Sequence, residues 1–366
     1  MEYQETFRVA MMIIIGTIGL ALFGIIFGLF YKGIDRKISA RMQGRIGPPL
    51  RQPFRDVAKL FTKENIVPEN AIPWVFHLAP LAGLVGTISI LLYLPIGGFQ
   101  PLAAGAISIN GTPIILGDLI LILYLLMIPS LALVIGGFAS GSPYATVGAQ
   151  REMATMIAYE FPLAIIIITI AWKLANYTNA LGVGTANTFA LSTITTYPAW
   201  DLVGPLGFIG LIILLIVLII VTPAELSKIP FDAPEAETEI GGGLLVEYSG
   251  RNLAMFYLMD SVKTIVMASI IVALFFPYNL SPVFGLENYP AFAVDIIFFL
   301  VKVLIIVIFS VTLIRVAVAR LKIDQIVYTY WVPLTLMALV GLICIMWDVT
   351  MMERLGWDRV ITMLGL

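Results

Sequence analysis

The sequence predicts an all-α integral membrane protein, and three observations carry that prediction. Mean hydropathy is +0.99, with 60% of the 366 residues hydrophobic and 12% charged, whereas a soluble domain is roughly half apolar. The apolar residues gather into eight runs, each near the roughly 20 residues that a spanning helix needs. Among the connections between those runs, lysine and arginine fall almost entirely in alternate ones. Length alone permits two soluble domains; the hydropathy points instead to a single polytopic membrane domain over residues 1–366.

The eight expected spans are 8–31, 73–95, 114–138, 154–172, 203–222, 262–279, 292–314 and 331–349. The first is expected to stay in the mature chain. It opens with Glu2 and Glu5 instead of a basic region, and its apolar run is too long for a signal peptide. No internal repeat is evident. Between the first two spans, Pro53–Phe61 (PFRDVAKLF) sets Phe54, Val57, Ala58 and Phe61 on one stripe, with Arg55, Asp56 and Lys59 on other faces. That pattern suits an amphipathic helix lying on the membrane surface and equally suits contact with a peripheral subunit.

The connections after spans 2, 4 and 6 are rich in Gly, Pro, Asn and Thr. Those after spans 1, 3, 5 and 7 hold Lys32, Arg36, Lys37, Arg41, Arg45, Arg51, Arg55, Lys59, Lys63, Arg151, Lys228, Arg251, Arg315, Arg320 and Lys322. The positive-inside rule places these four connections in the cytoplasm and both termini outside, in a multi-pass protein of the cell membrane. A net charge of −2 with no basic tail gives no basis for nucleic-acid binding. A single cysteine, Cys344, and a single histidine, His77, exclude disulfides, cysteine-ligated clusters and multi-histidine metal sites within the chain. Any redox centre belongs to a partner.

The two long cytoplasmic loops carry opposite charge. Loop 32–72 sets its basic residues against Asp35, Asp56, Glu64 and Glu69, while loop 223–261 sets Glu225, Asp232, Glu235, Glu237, Glu239, Glu247 and Asp260 against Lys228 and Arg251. Either the two pack together around a shared cavity, or each is a solvated loop. Pro230, Pro234 and Gly241 to Gly243 favour the first, because they impose fixed turns and close backbone approach.

Three stretches carry a resemblance: ELSKIPFDAPEAETEIGGGLLVEYSG (225–250), DRKISARMQGRIGPPLRQPFRDVAKLFTKENIVP (35–68) and YATVGAQREMATMIAYE (144–160). Together they resemble the H-type membrane subunit of respiratory complex I and of the related membrane-bound nickel–iron hydrogenases. The resemblance implies a subunit that binds no cofactor alone. It implies iron–sulfur and catalytic subunits docked on the cytoplasmic face, a nickel–iron site in a partner in the hydrogenase reading, and antiporter-like membrane subunits alongside. It also implies a coupling role for Asp232, Glu235, Glu237, Glu239 and Glu247, with Arg36, Arg45, Asp56, Lys59, Arg151, Tyr159 and Arg251 as cavity and charge partners. The lead-in GGFASGSPYATVGAQRE, with Pro143 before Tyr144, Glu152 after Arg151 and Thr155 where complex I commonly has Gln, looks more like the hydrogenase branch and its sulfur-reducing relatives. A quinone belongs to the alternative, complex I-type reading.

Elementary electrostatics agrees with such a role. Burial raises a carboxyl pKa and a nearby cation lowers it, so acids clustered near arginines can change protonation when a charge appears beside them. The plainer alternative makes each acid a salt-bridge partner of loop 32–72 or of a docked subunit. Glu160, about two turns into the expected span 4, is an intramembrane ionisable group and by default functional; the alternative is a buried carboxyl bonded to a neighbouring helix. Glu152 precedes it by about 12 Å of helix, a gap that water or a third group can bridge. Asp295 and Lys302 are expected to face the bundle interior or a partner helix in structural roles. Asp260 and Lys263, three residues apart, are expected to form an ion pair at a helix end.

The expected function is therefore that of a membrane subunit coupling a redox arm to proton or sodium translocation, in a ferredoxin-linked hydrogenase or a sulfur-reducing relative. The alternatives are a quinone- or phenazine-reducing dehydrogenase, a stand-alone ion transporter, for which inverted repeats are the usual sign, and a purely structural anchor.

Overall fold

The computed structural model describes residues 2–97, 107–109, 112–114, 119–180, 189–286 and 288–355. Eight helices are long and apolar enough to cross a membrane: span 1 (Ile15–Met42), span 2 (Pro73–Leu91), span 3 (Leu119–Ala139), span 4 (Pro143–Tyr177), span 5 (Pro205–Glu225), span 6 (Gly250–Phe275), span 7 (Tyr289–Ala317) and span 8 (Ile323–Asp348). A shorter helix, Gln52–Thr62, lies between spans 1 and 2. A short ribbon lies between spans 2 and 3, where Ile107–Ile109 pairs antiparallel with Thr112–Ile114.

Several helices run well past their apolar windows. Span 1 continues to Met42, span 4 starts at Pro143, span 6 at Gly250 and span 8 at Ile323. The extra turns carry charge, and they stay helical because a helix satisfies its own backbone groups wherever water is excluded. Proline opens spans 2, 4 and 5, where its missing N–H leaves nothing unpaired. Span 7 ends through a π-turn at Ile308–Thr312 and span 8 contains another at Tyr330–Leu334. In the second, Pro333 has no N–H to give, and Thr335 Oγ1 donates to the Tyr330 carbonyl at 2.8 Å.

Span 6 is the axis of the bundle. From Val262 to Phe275 every side chain is buried, and the helix is packed by spans 1 and 2, span 7 and the Gln52–Thr62 helix. Its charge-bearing half faces one end of the molecule, where the loops of both signs converge; the other end is tied by shorter polar links. There Asp295 accepts from the Leu280 and Ser281 amides (3.0 and 2.9 Å) and from Ser281 Oγ (2.6 Å). Lys302 donates to the Phe276 and Tyr278 carbonyls at 2.8 Å each. Both residues thus fasten the chain leaving span 6.

A third link joins spans 4, 5 and 8. Lys173 Nζ lies 3.3 Å from Asp348 Oδ2, with side chains 9% and 3% exposed, and the same oxygen accepts the Gly204 amide at 2.9 Å. Lys173→Met leaves the Asp348 charge with only that amide. A loss of roughly 3–5 kcal/mol is expected, as for any buried pair broken on one side. Thermal denaturation of the detergent-solubilised complex measures it, and Lys173→Met with Asp348→Asn should recover most of the loss.

Candidate functional site

At the charged end, span 1, the segment after span 5 and the span 7–span 8 connection enclose a cavity of about 370 Å³. Span 1 contributes Lys32, Asp35 and Arg36; residues 227–237 contribute Ser227, Lys228, Ile229, Asp232, Glu235 and Glu237; Arg315 and Arg320 complete the lining. Ile229 is its one aliphatic member.

The acidic segment is held in place by backbone contact and by arginines. Gly243 has φ +50°, and a Cβ there would run into the Pro234 carbonyl oxygen. A Cβ on Gly148 of span 4 would meet Leu244 N at 2.8 Å and Pro234 O at 2.9 Å. Span 4 and the segment therefore touch through glycine on both sides. Arg151 reaches across from span 4 to Glu239 (2.6 Å) and the Ala233 carbonyl (3.3 Å). From the other side, Arg320 donates through Nε and Nη2 to the two Asp232 oxygens (2.9 and 2.5 Å) and through Nη1 to Thr238 (2.8 Å). This bidentate fork fixes orientation as well as charge.

Beneath the cavity, Asp260 of span 6 takes Lys32 at 2.6 Å and Lys228 at 2.7 Å. Lys32 also lies 3.4 Å above the Tyr257 ring centre. The expected Asp260–Lys263 pair does not form. Lys263 bonds instead to Glu225 Oε1 at 2.8 Å, so the two residues serve different clusters. The reason is that the helix begins at Gly250, which places both deep in the bundle instead of at a helix end, where each takes a partner from another element.

Around Lys263 lies a second, drier cluster. Its ammonium donates to Ser130 Oγ of span 3 at 2.9 Å, and Ser130 Oγ is 3.1 Å from the Tyr159 hydroxyl. Ser227, which lines the cavity, donates to Glu152 Oε2 at 3.4 Å. Ser130, Glu152, Tyr159, Glu225 and Lys263 are each at most 4% exposed. On the far side, Glu225 and Glu160 line an apolar pocket of about 190 Å³ with Leu123, Tyr124, Leu126, Met127 and Leu163 among its walls. Ionisable groups thus run in sequence from the cavity to that pocket: Glu235, Glu152, Glu225 with Lys263, and Glu160.

The structure separates the residues singled out in the sequence. Glu235, Glu237, Asp232 and Arg36 line the cavity, and Glu152, Tyr159 and Glu160 sit in or beside the inner cluster. Asp232 and Glu239 are paired to arginines. Arg36 pairs with Asp56 at 3.0 Å, and Gln52 donates to the other Asp56 oxygen at 2.8 Å. Arg45, Lys59 and Arg251 are exposed and, like Glu247, are not among the lining residues. In the Gln52–Thr62 helix, Val57 packs with Leu29 and Leu258, Phe54 leans on that cluster and Phe61 is exposed. Sequence reasoning missed Lys32, Lys228, Lys263, Ser130 and Glu225 as site members. The available signal was Lys263, an ionisable residue in an apolar run. Among the described residues no group of three or more His, Cys, Asp or Glu is placed to hold a metal ion.

Burial lifts the Glu235 carboxyl above its ordinary range; Asp260 and Asp232 reinforce the rise, while Lys228 and Lys32 oppose it. A carboxyl that holds its proton more tightly folded than unfolded contributes stability at low pH. That contribution fades as pH climbs from the usual carboxylate range through the raised value. Glu235→Gln, permanently neutral, should flatten this part of the stability–pH curve, read as melting temperature of the complex at successive pH values.

This arrangement has relatives. A family model described as NADH dehydrogenase matches residues 15–346. The chain belongs to that family. A family member from Syntrophotalea carbinolica, the H-type subunit of an NADH-quinone oxidoreductase, is 33% identical over 320 residues, covering 83% of this chain and 86% of that one. Hydrogenase-4 component C of Escherichia coli is 34% identical over 253 residues, 68% of this chain and 71% of the other. Among solved structures, a chain of the membrane-bound sulfane sulfur reductase, an archaeal respiratory membrane complex, superimposes with a TM-score of 0.75 at 28% identity, covering 91% of this chain and 99% of that chain. The family thus spans quinone-, hydrogen- and sulfur-linked assemblies, and this chain is a multi-span membrane subunit of that class.

Proposed function

We propose that this subunit anchors a peripheral iron–sulfur arm on its charged face, which is cytoplasmic, and couples that arm's redox chemistry to proton or sodium translocation. The complex is a ferredoxin-linked hydrogenase or a sulfur-reducing relative. The observation that carries the coupling role is the run of ionisable groups from the half-buried Glu235 through the buried Glu152 and Glu225 to the half-buried Glu160, reached from a charged cavity. Electron arrival above the cavity changes the field on Glu235, whose protonation then biases the cluster below. The choice of branch is supported by the cavity lining: small-molecule sites are mostly apolar, and this cavity has one aliphatic wall residue. The similarity to the sulfane sulfur reductase chain over 99% of its length points the same way.

The test is to purify the intact complex in mild detergent and supply reduced ferredoxin. Protons, polysulfide, quinone and phenazine are then offered in turn as acceptor. Hydrogen evolution or polysulfide reduction is the expected outcome. Exclusive quinone or phenazine reduction would instead support the reading favoured by the 33% identity to a subunit of an NADH-quinone oxidoreductase.

A further inference from the structure

We infer that Ser227 is the positioning residue at the threshold between the charged cavity and the inner cluster, holding the Glu152 carboxyl at the cavity wall; this rests on the coupling role proposed above. Ser227 directly follows Leu226, the C-cap of span 5, and its backbone is left-handed, with φ +48°. Its amide donates to the Ala224 carbonyl at 2.9 Å, and the Lys228 amide donates to the Pro223 carbonyl at 2.8 Å. This pair of bonds closes a helix around a left-handed residue, a place that glycine normally takes because a Cβ is disfavoured there. Every other residue with positive φ among the described residues is glycine. Serine at 227 is the exception, and what it adds over glycine is a hydroxyl.

That hydroxyl joins the two halves of the site. Ser227 lines the charged cavity, and its Oγ donates to Glu152 Oε2 at 3.4 Å. Among the described residues that line the cavity, it alone hydrogen-bonds to a member of the inner cluster. Glu152 is 1% exposed, and its other oxygen, Oε1, has no hydrogen-bond partner within the chain. A buried carboxyl oxygen in that state is costly, so the contact with Ser227 weighs heavily in where the group sits. A hydroxyl both donates and accepts. The same contact therefore serves both states of Glu152, giving a proton to the ionised carboxylate's hydrogen bond and accepting one from the neutral acid. The turn also fixes spacing. Glu225, two residues earlier, pairs with Lys263 at 2.8 Å, and Lys228, one residue later, pairs with Asp260 at 2.7 Å. One helix end thus sets Glu152 of span 4 in register with both of these charged residues of span 6. Without the hydroxyl, Glu152 loses the contact that holds it toward the cavity, and its loading from that side slows.

The experiment uses the intact complex in liposomes, driven by reduced ferredoxin and the acceptor identified above. Membrane potential is read with an oxonol dye, which responds to proton or sodium movement alike, and is expressed per electron pair to remove any change in electron-transfer rate. Ser227→Gly keeps the left-handed turn and removes the hydroxyl. The initial rate of potential formation per electron pair should fall roughly 10-fold, the lower end for losing a hydrogen bond to a charged group. Ser227→Asn, whose side chain tolerates the same turn and offers both a donor and an acceptor, should restore it. A residue that only caps span 5 would leave Ser227→Gly fully coupled, and that result overturns the inference. In infrared difference spectra, the protonated-carboxyl stretch that disappears in Glu152→Gln should move to higher frequency in Ser227→Gly; an unmoved band overturns it as well. Glu152→Gln also separates the two ideas. If Glu152→Gln is uncoupled while Ser227→Gly is not, only the role of Ser227 fails; if both remain coupled, the carboxylate path itself fails. Should Ser227→Gly not assemble, Ser227→Ala, which keeps the Cβ and lacks the hydroxyl, is read the same way.

Discussion

Lys263→Met should both uncouple the complex and destabilise this subunit by roughly 3–5 kcal/mol, the range for removing one member of a buried ion pair. Lys263 and Glu225 are 5% and 2% exposed as side chains, so neither charge has water to fall back on. Without the ammonium, Glu225, Glu152 and Glu160 are left within one cluster with no cation among them, and like charges at close range cannot all ionise. The cluster then holds its protons permanently, and transfer stops for lack of an ionised acceptor. Adding Glu225→Gln removes the carboxyl left without its counter-ion, so the double variant should regain much of the stability while coupling stays lost. Complex yield and melting temperature report the first quantity and membrane potential per electron pair the second. Normal coupling in Lys263→Met would mean that the cluster is structural only.

Asp260→Asn should be the most damaging single change at the charged end. One carboxylate there neutralises both Lys32 and Lys228, at 2.6 and 2.7 Å. Asparagine leaves two ammonium groups of like charge facing each other beneath the cavity. Lys32 and Lys228 keep 13% and 23% exposure, so part of the penalty is screened; roughly 3 kcal/mol is the expected net loss. Lys32→Met and Lys228→Met should each cost clearly less, because Asp260 keeps the other lysine. The ranking is checked by quantifying assembled complex on native gels at several temperatures. Equal losses for all three variants would show that the shared carboxylate is not the organising charge.

Much of the bundle was legible in the sequence because length and hydropathy are local properties. A run such as 203–222 can be little other than a membrane helix, and the observed span 5, Pro205–Glu225, nearly coincides with it. The ends were less legible. Whether residues 250–261 or 143–153 are loop or helix depends on whether their polar groups find partners across the bundle, which no window of sequence contains. The same blindness affected the site. Glu152 and Glu160 announced themselves as acids in apolar context, and the acidic segment announced itself by composition. Lys263 looked like a partner for Asp260 because both lie on one helix face; the structure gives each a partner from a different helix. Ser130 carries no signal at all, since a lone serine in an apolar span is ordinary, and it stands out only once Lys263 and Tyr159 are seen to meet on it. The ribbon at Ile107–Ile109 and Thr112–Ile114 is too short for a two-residue periodicity to register.

The burial of span 6 over its inner half, Ser261–Phe275, also constrains how the protein is made. Asp260 and Lys263 lie near the middle of Gly250–Phe275, and on insertion scales each ionised residue at a helix centre costs about 2.5–3.5 kcal/mol. A nascent span 6 meeting bare lipid would carry that penalty twice. Yet Lys32, Ser130, Glu225 and Lys228, the groups that bind those two charges, all precede it in the chain and leave the ribosome first. The five earlier helices therefore act as a template already waiting in the bilayer, and span 6 is delivered into a slot whose countercharges are already in place.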